Sequence, residues 1–200
     1  QPAGLQQSLR AMQESRSLQV VSILGDAGVG KSRLLQELET SLARLAQPPR
    51  LLRSRAFTDW MHRPYSLLRG LLAEHLHIQE TDPLAEVWQK FESGLAAQGL
   101  APEAAQMRAH FIGQLLGFDF SASPHLAACR ADARQVHDRA LLYLAAIFRN
   151  IAHNTPLIIF LDDIHWADDG SLGQNHGAFN SVLQLSHVTR PMMTKHEVHG

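Results

Sequence analysis

Gly25-Asp26-Ala27-Gly28-Val29-Gly30-Lys31-Ser32 (GDAGVGKS) meets the phosphate-loop pattern G-x-x-x-x-G-K-[ST] at every fixed position. The spacing has a chemical reason. Gly25 and Gly30 bracket a loop whose backbone N–H groups must all turn toward one anion. Glycine accepts the tight conformations and the close approach of phosphate oxygens that this demands. Residues 25 to 32 together would cradle the phosphates of a nucleoside triphosphate. Lys31 would reach the β- and γ-phosphates as a point charge, and the Ser32 hydroxyl would be a Mg²⁺ ligand. A helix opening here would aim its positive dipole end at the same anion.

The flanks supply the context that this pattern requires. Leu18 to Leu24 (LQVVSIL) is a short apolar, β-branched run of strand length, placed directly before the loop. Leu34, Leu35, Leu38, Leu42 and Leu45 then recur at helical spacing, which predicts a helix running up to Pro48-Pro49. Strand, loop and helix in this order are the setting of a phosphate loop rather than of a chance glycine-rich turn.

Two hundred residues suit one domain with a real core. The chain is 45% hydrophobic and 18% charged, with a formal net charge of −1. That balance lacks the broad basic surface of a dedicated nucleic-acid binder, so no direct nucleic-acid contact is expected. Cys129 is the single cysteine, which excludes an intrachain disulfide framework and fits a reducing cytoplasm. The N-terminal QPAGLQQSLRAMQ has no basic stretch followed by an apolar one, and no apolar run approaches the ~18 residues of a membrane span. The twelve histidines form no zinc pattern. Their closest pair, His75 and His77, is expected on different helix faces, so solvated or partly buried imidazoles are the expectation.

Further along, Leu5, Leu9 and Met12 predict a short amphipathic helix before the first strand, and Leu51 to Phe57 (LLRSRAF) predicts a second strand carrying two arginines. A helix is expected with Pro64 at its first position, carrying Leu67, Leu68, Leu71, Leu72 and Leu76. Asp82-Pro83 reads as cap and first turn of a helix with Leu84, Val87, Trp88, Phe91 and Leu95. Pro102 opens another, with Met107, Phe111 and Leu115, and the longest runs from about Asp132 to His153. These aromatic and methionine stripes read as core. Pro156 ends the last helix, and Leu157 to Leu161 (LIIFL) is the pattern of a strand buried on both faces. The alternation predicts an α/β fold with a mainly parallel sheet flanked by helices.

LIIFLDD, Leu157 to Asp163, has the form of a Walker B element, a buried strand that delivers carboxylates at its C-terminal end. Ligands sit at that edge in open α/β sheets. Asp162 is expected to hold Mg²⁺, through water, because this ion keeps several of its own waters. Asp163 is expected to orient or deprotonate the attacking water.

With DDIHWADDGSL, Asp162 to Leu172, a family comes into view. GDAGVGKSRLLQEL (Gly25 to Leu38) together with FLDDIHWAD (Phe160 to Asp168) resembles the origin-recognition-complex-like AAA ATPase domains of multidomain signal-transduction ATPases. Such domains occur in bacterial transcriptional regulators and adenylate cyclase-linked proteins. Arg63 to Tyr65 (RPY) and the approach Asn154 to Asp163 (NTPLIIFLDD) resemble the same family, over roughly Leu5 to Leu172. The resemblance implies a P-loop NTPase with extra helices between its second and third strands. It also implies an ATP-driven switch, in which ATP or ADP controls the arrangement of sensor and output domains in a larger parent chain. Lys31 and Asp163 would then be the catalytic pair, and Ser32 and Asp162 the residues serving Mg²⁺. His165 and Trp166 match the family's His-Trp pair, with packing beneath the site and direct catalysis both open as roles.

Departures from the family define a second segment. The usual Gly-Arg-Glu opening element is absent, and Gly173 to Gly200 carries little helical periodicity. Residues 1–172 are therefore expected to form a partial ATPase domain, incomplete at the C-terminus, with 173–200 a divergent or poorly structured tail. Ser181 to Thr189 (SVLQLSHVT) is the candidate for a degenerate sensor strand beside the phosphate-loop strand. Two rivals remain: a scaffold gated by ATP without turnover, and a small-molecule kinase, against which Asp162-Asp163 followed by His-Trp argues.

Overall fold

The computed structural model of the chain describes residues 22–23, 28–60, 63–127, 129, 132–167, 171 and 197–198. In chain order its elements are β1 (Ser22–Ile23), α1 (Lys31–Leu42), β2 (Arg50–Arg55), a 3-10 turn (Thr58–Trp60), α2 (Ser66–His75), α3 (Leu84–Ala96), α4 (Pro102–Leu115), α5 (Pro124–Ala127), α6 (Ala133–Asn154), β3 (Leu157–Asp162), a second 3-10 turn (Ile164–Trp166) and β4 (Glu197–Val198). The mixture of helices and parallel strands is compatible with an α/β protein, and among the described residues five helices lie between β2 and β3. The chain divides into two units, Gln1–Arg50 with His187–Gly200, and Leu51–Ser186. Among the described residues the strands pair two by two, β1 with β4 and β2 with β3. No helix among them is long and apolar enough to cross a membrane.

In the first unit β1 runs parallel to β4, with Ser22 opposite Glu197 and Ile23 opposite Val198. The described neighbour of the phosphate-loop strand is thus β4. Ser181 to Thr189, the segment expected there, lies outside the described residues, as do Leu5, Leu9 and Met12. Helix α1 ends at Leu42, earlier than the leucine spacing predicts, and Leu45 is exposed. The cause is local. The Thr40 and Ser41 hydroxyls donate to the carbonyls of Gln36 and Glu37 one turn back, and such back-bonding loosens a helix.

In the second unit β2 alternates cleanly, with Leu52 and Ser54 buried and Arg53 and Arg55 exposed. The Ala56 N–H, just past β2, donates to the Asp162 carbonyl at the end of β3 (3.1 Å), so the two strands finish side by side. Leu67, Leu68, Leu71 and Leu72 of α2, Phe91 and Leu95 of α3, Ala109 and Ile112 of α4, and Ala140 and Leu144 of α6 make one core. Phe120 closes it, stacked on Trp88 at 4.8 Å and edge-on to Phe91. It lies so near α4 that a Cβ on Gly113 would fall 2.2 Å from its ring.

The buried imidazole inside this core is paired on both sides. His110 has one ring nitrogen 2.6 Å from the Ser123 hydroxyl and the other 2.8 Å from the Glu92 carboxylate. Ser123 also accepts from the His125 N–H and so starts α5. Two helix starts differ from expectation. Pro64 precedes α2 by two residues, because Tyr65 takes a left-handed conformation (φ 64°) and its phenol meets the His137 imidazole at 2.7 Å. Asp82 does not cap α3; its carboxylate accepts from the Gln79 N–H and the Lys90 ammonium instead, and Pro83 stands at the cap. Asp132 does cap α6, accepting from the N–H groups of Arg134 and Gln135.

Candidate functional site

The described part of the phosphate loop is Gly28 to Ser32; Gly25, Asp26 and Ala27 lie outside the described residues. Gly28 and Gly30 have φ of 84° and 97°, a region that side chains with a Cβ rarely adopt. Space is not the reason for glycine, since a Cβ at either position would meet nothing within 4 Å. Gly30 is the N-cap of α1 and, lacking a side chain, makes no side-chain cap hydrogen bond to the first turn. The N-terminal N–H groups of a helix are a common seat for an anion. Val29 is exposed, Lys31 is half-buried in the first turn, and Ser32 is exposed beside it.

The second half of the predicted site belongs to the other unit. There β3 delivers Asp162 and Asp163 at its C-terminal end. Oδ1 of Asp162 accepts from the Asp163 N–H at 3.0 Å, which turns the chain at Asp163 into a left-handed conformation, φ 52°. Aspartate reaches that region more readily than most residues. The carbonyl of Asp163 then accepts from the Trp166 N–H and closes the 3-10 turn. His165 and Trp166 lie ring to ring at 4.9 Å, and both are exposed, Trp166 by 37%.

Arg55, the last residue of β2, was not among the predicted site residues. Its guanidinium meets Oδ2 of Asp163 twice, Nε at 2.7 Å and Nη2 at 2.6 Å. The hydrogen bond to Asp163, then the charges of Asp163 and Asp162, hold the Arg55 guanidinium above its ordinary pKa. The pair is partly open to water, with side-chain exposures of 58% and 31%. A sequence signal for it exists in the alternation of β2, where Arg53 and Arg55 share the face opposite Leu52 and Ser54, and Arg55 stands at the C-terminal end.

Asp162 offers a carboxylate at the end of β3, and Ser32, in the other unit, a hydroxyl; each is a hard oxygen of the kind Mg²⁺ takes. Among the described residues no group of three or more His, Cys, Asp or Glu could hold a metal ion. One or two carboxylates completed by water and substrate phosphates is how this ion is commonly held.

A family model described as AAA ATPase domain matches residues 1–188 of the chain. No curated protein and no solved structure gives a significant match.

Proposed function

Because the chain belongs to the AAA ATPase domain family, we propose that it binds ATP with Mg²⁺ and hydrolyses it to ADP and phosphate. The observation that carries this reading is the pair of left-handed glycines, Gly28 and Gly30, opening directly into a helix whose first turn bears Lys31 and Ser32. Backbone N–H groups of the loop and of the first turn of α1 would bind phosphate oxygens, and Lys31 would add a full positive charge. Ser32 and Asp162 would hold Mg²⁺, which when bound neutralises charge on the β- and γ-phosphate oxygens. Asp163 would accept a hydrogen bond from the attacking water and aim it. Little covalent work falls to the protein, so its contribution is positioning and electrostatics around the γ-phosphate. In a larger signalling or transcription-regulating chain the exchange of ATP for ADP would act as a switch on neighbouring sensor and output domains; that part rests on the resemblance of Gly25–Leu38 and Phe160–Asp168 alone.

Calorimetry with ATP·Mg²⁺ tests the reading. Lys31→Ala removes a charge-assisted contact to phosphate and is expected to weaken binding by about 2–5 kcal/mol. Equal affinity of the two proteins would remove the phosphate-loop assignment.

A further inference from the structure

A hollow of about 500 Å³ takes no part in the site described above. It lies within the unit Leu51–Ser186, where the end of α2, one face of α3 and the last turns of α6 meet. Its volume is in the range of small-ligand sites. Leu76, Gly94, Ala97 and Ile151 give it an apolar wall. Two further residues of the wall work against the stability of the fold. Gln98 keeps the nitrogen of its side-chain amide buried with no hydrogen-bond partner among the described residues, while its oxygen accepts from the Asn150 amide at 3.4 Å. A buried donor left unpaired is a standing cost. His77 follows the C-cap of α2 with φ 55°, at a position that glycine fills without strain. The chain keeps an imidazole there, and it lines the hollow. Unpaired donors and strained backbone collect where ligands are handled.

The chemistry of the wall selects the ligand. Its unused hydrogen-bonding groups are donors. They are the Gln98 amide and one of the three Lys90 N–H groups, the other two going to Asp82 and Glu86. The Ser93 hydroxyl donates to the Lys90 carbonyl. A cation would find no carboxylate in this wall among the described residues. An anion would meet an ammonium already outweighed by the carboxylates of Asp82 and Glu86. A hydroxyl would bring a donor of its own, whereas a carbonyl oxygen only accepts. Rotation about the last side-chain bond of Gln98, a soft torsion, turns its N–H groups to the hollow. We propose that the hollow binds a small neutral carbonyl compound, whose oxygen accepts from the Gln98 amide and whose apolar body rests on Leu76, Ala97 and Ile151. Binding pairs the donor that folding leaves unpaired. The site is independent of the nucleotide reading and shares none of its residues.

The test titrates the whole chain with N-methylpyrrolidone, a neutral carbonyl probe without an N–H. It follows the backbone N–H resonances of Gly94, Ala97 and Ile151 and the side-chain amide of Gln98. Saturating shifts centred on these groups are expected. Cyclopentanol, acetate and methylammonium are expected to bind about 3–10-fold more weakly, the scale of one hydrogen bond. Gln98→Met removes the donor at similar size and is expected to weaken the probe by the same factor. His77→Gly is expected to weaken it as well, while its melting temperature stays level or rises, since glycine takes this φ without strain. Ala97→Phe fills the hollow from an exposed position and is expected to abolish binding. If Gln98→Met does not fold, the other two variants decide. Shifts that do not saturate, a charged or hydroxyl probe that binds as tightly, wild-type affinity in Gln98→Met, or binding that survives Ala97→Phe would each overturn the proposal. So would a His77→Gly protein that melts lower and binds unchanged, because the imidazole would then serve the fold alone.

Discussion

Within the unit Leu51–Ser186, the helices between β2 and β3 bury Phe91, Leu95, Ala109, Phe120 and Leu144 completely, and even the imidazole of His110 has both nitrogens bonded. Elsewhere in the same unit, at the ends of β2 and β3, Phe57, Ile164 and Trp166 are exposed and Asp163 carries a left-handed backbone. The contrast separates two demands. The helical layer gains stability by excluding water and by pairing buried polar groups such as His110, as close-packed interiors do. The strand ends keep water, charge and strained backbone together, which costs stability and is found where ligands are handled. Substitutions in the first region should therefore act on folding, and substitutions in the second on nucleotide chemistry.

The largest effect expected is in the core. Phe91 is fully buried and edge-on to both Phe118 and Phe120. Phe91→Ala should lose about 3–5 kcal/mol, from lost transfer and the cavity left behind. Against a typical total of about 5–15 kcal/mol, that is enough to leave part of the population unfolded. Urea unfolding measures it, and a loss below about 1 kcal/mol would mean that this layer packs more loosely than its burial implies.

Second in size is the carboxylate at the strand end. Asp163→Asn should depress turnover about 100-fold or more while leaving ATP affinity and unfolding nearly unchanged, because a water-orienting group acts mainly in the transition state. Asp162→Ala should instead weaken the Mg²⁺ dependence of binding. If Asp163→Asn destabilises the fold and spares the rate, the division between the two regions collapses. A smaller effect, about 1 kcal/mol of stability and none in ATP affinity, is expected for Asp132→Ala, which removes the cap of α6.

How far the chain could be read in advance follows the same division. Helix α6 was legible because Asp132 before it, Pro156 after it and apolar residues at helical spacing all agree locally. The turn at Gly28 and Gly30 and the start of α1 after it were legible because the glycines and the helical leucines are contiguous. The start of α2 was misplaced because Tyr65 answers to His137, seventy-two positions away in the sequence. Asp82 does not cap because the ammonium of Lys90, nearly two helix turns inside α3, outcompetes the backbone N–H groups at the cap. Arg55 and Asp163 lie 108 positions apart, and no local pattern joins them. Periodicity and spacing report on neighbours along the chain, whereas this part of the site is made by neighbours across the sheet.

The smallest effect tests the rim of the helical layer, at the start of α3. The Asp82 carboxylate meets the Lys90 ammonium at 2.6 Å, and Lys90 also meets Glu86 at 2.8 Å. The hydrogen bond from Lys90, then that from the Gln79 N–H, holds the Asp82 carboxyl below the ordinary carboxylate range. The bonds to Asp82 and then Glu86 hold the Lys90 ammonium above its ordinary range. For an acid lowered on folding, the unfolded chain binds protons more readily. Its contribution is therefore complete above the ordinary Asp value and is lost as pH falls through the lowered one. For the raised ammonium the contribution is complete below the ordinary Lys value and is lost as pH rises through the raised one. Asp82→Asn should then melt slightly below wild type across neutral pH, and the gap should close in strong acid, where both proteins carry a neutral side chain at this position. Paired thermal melts from neutral to strongly acidic pH follow this directly. A gap that persists unchanged below the carboxylate range would show that residue 82 contributes by packing, and that the helical layer extends its closed, charge-independent construction out to the rim.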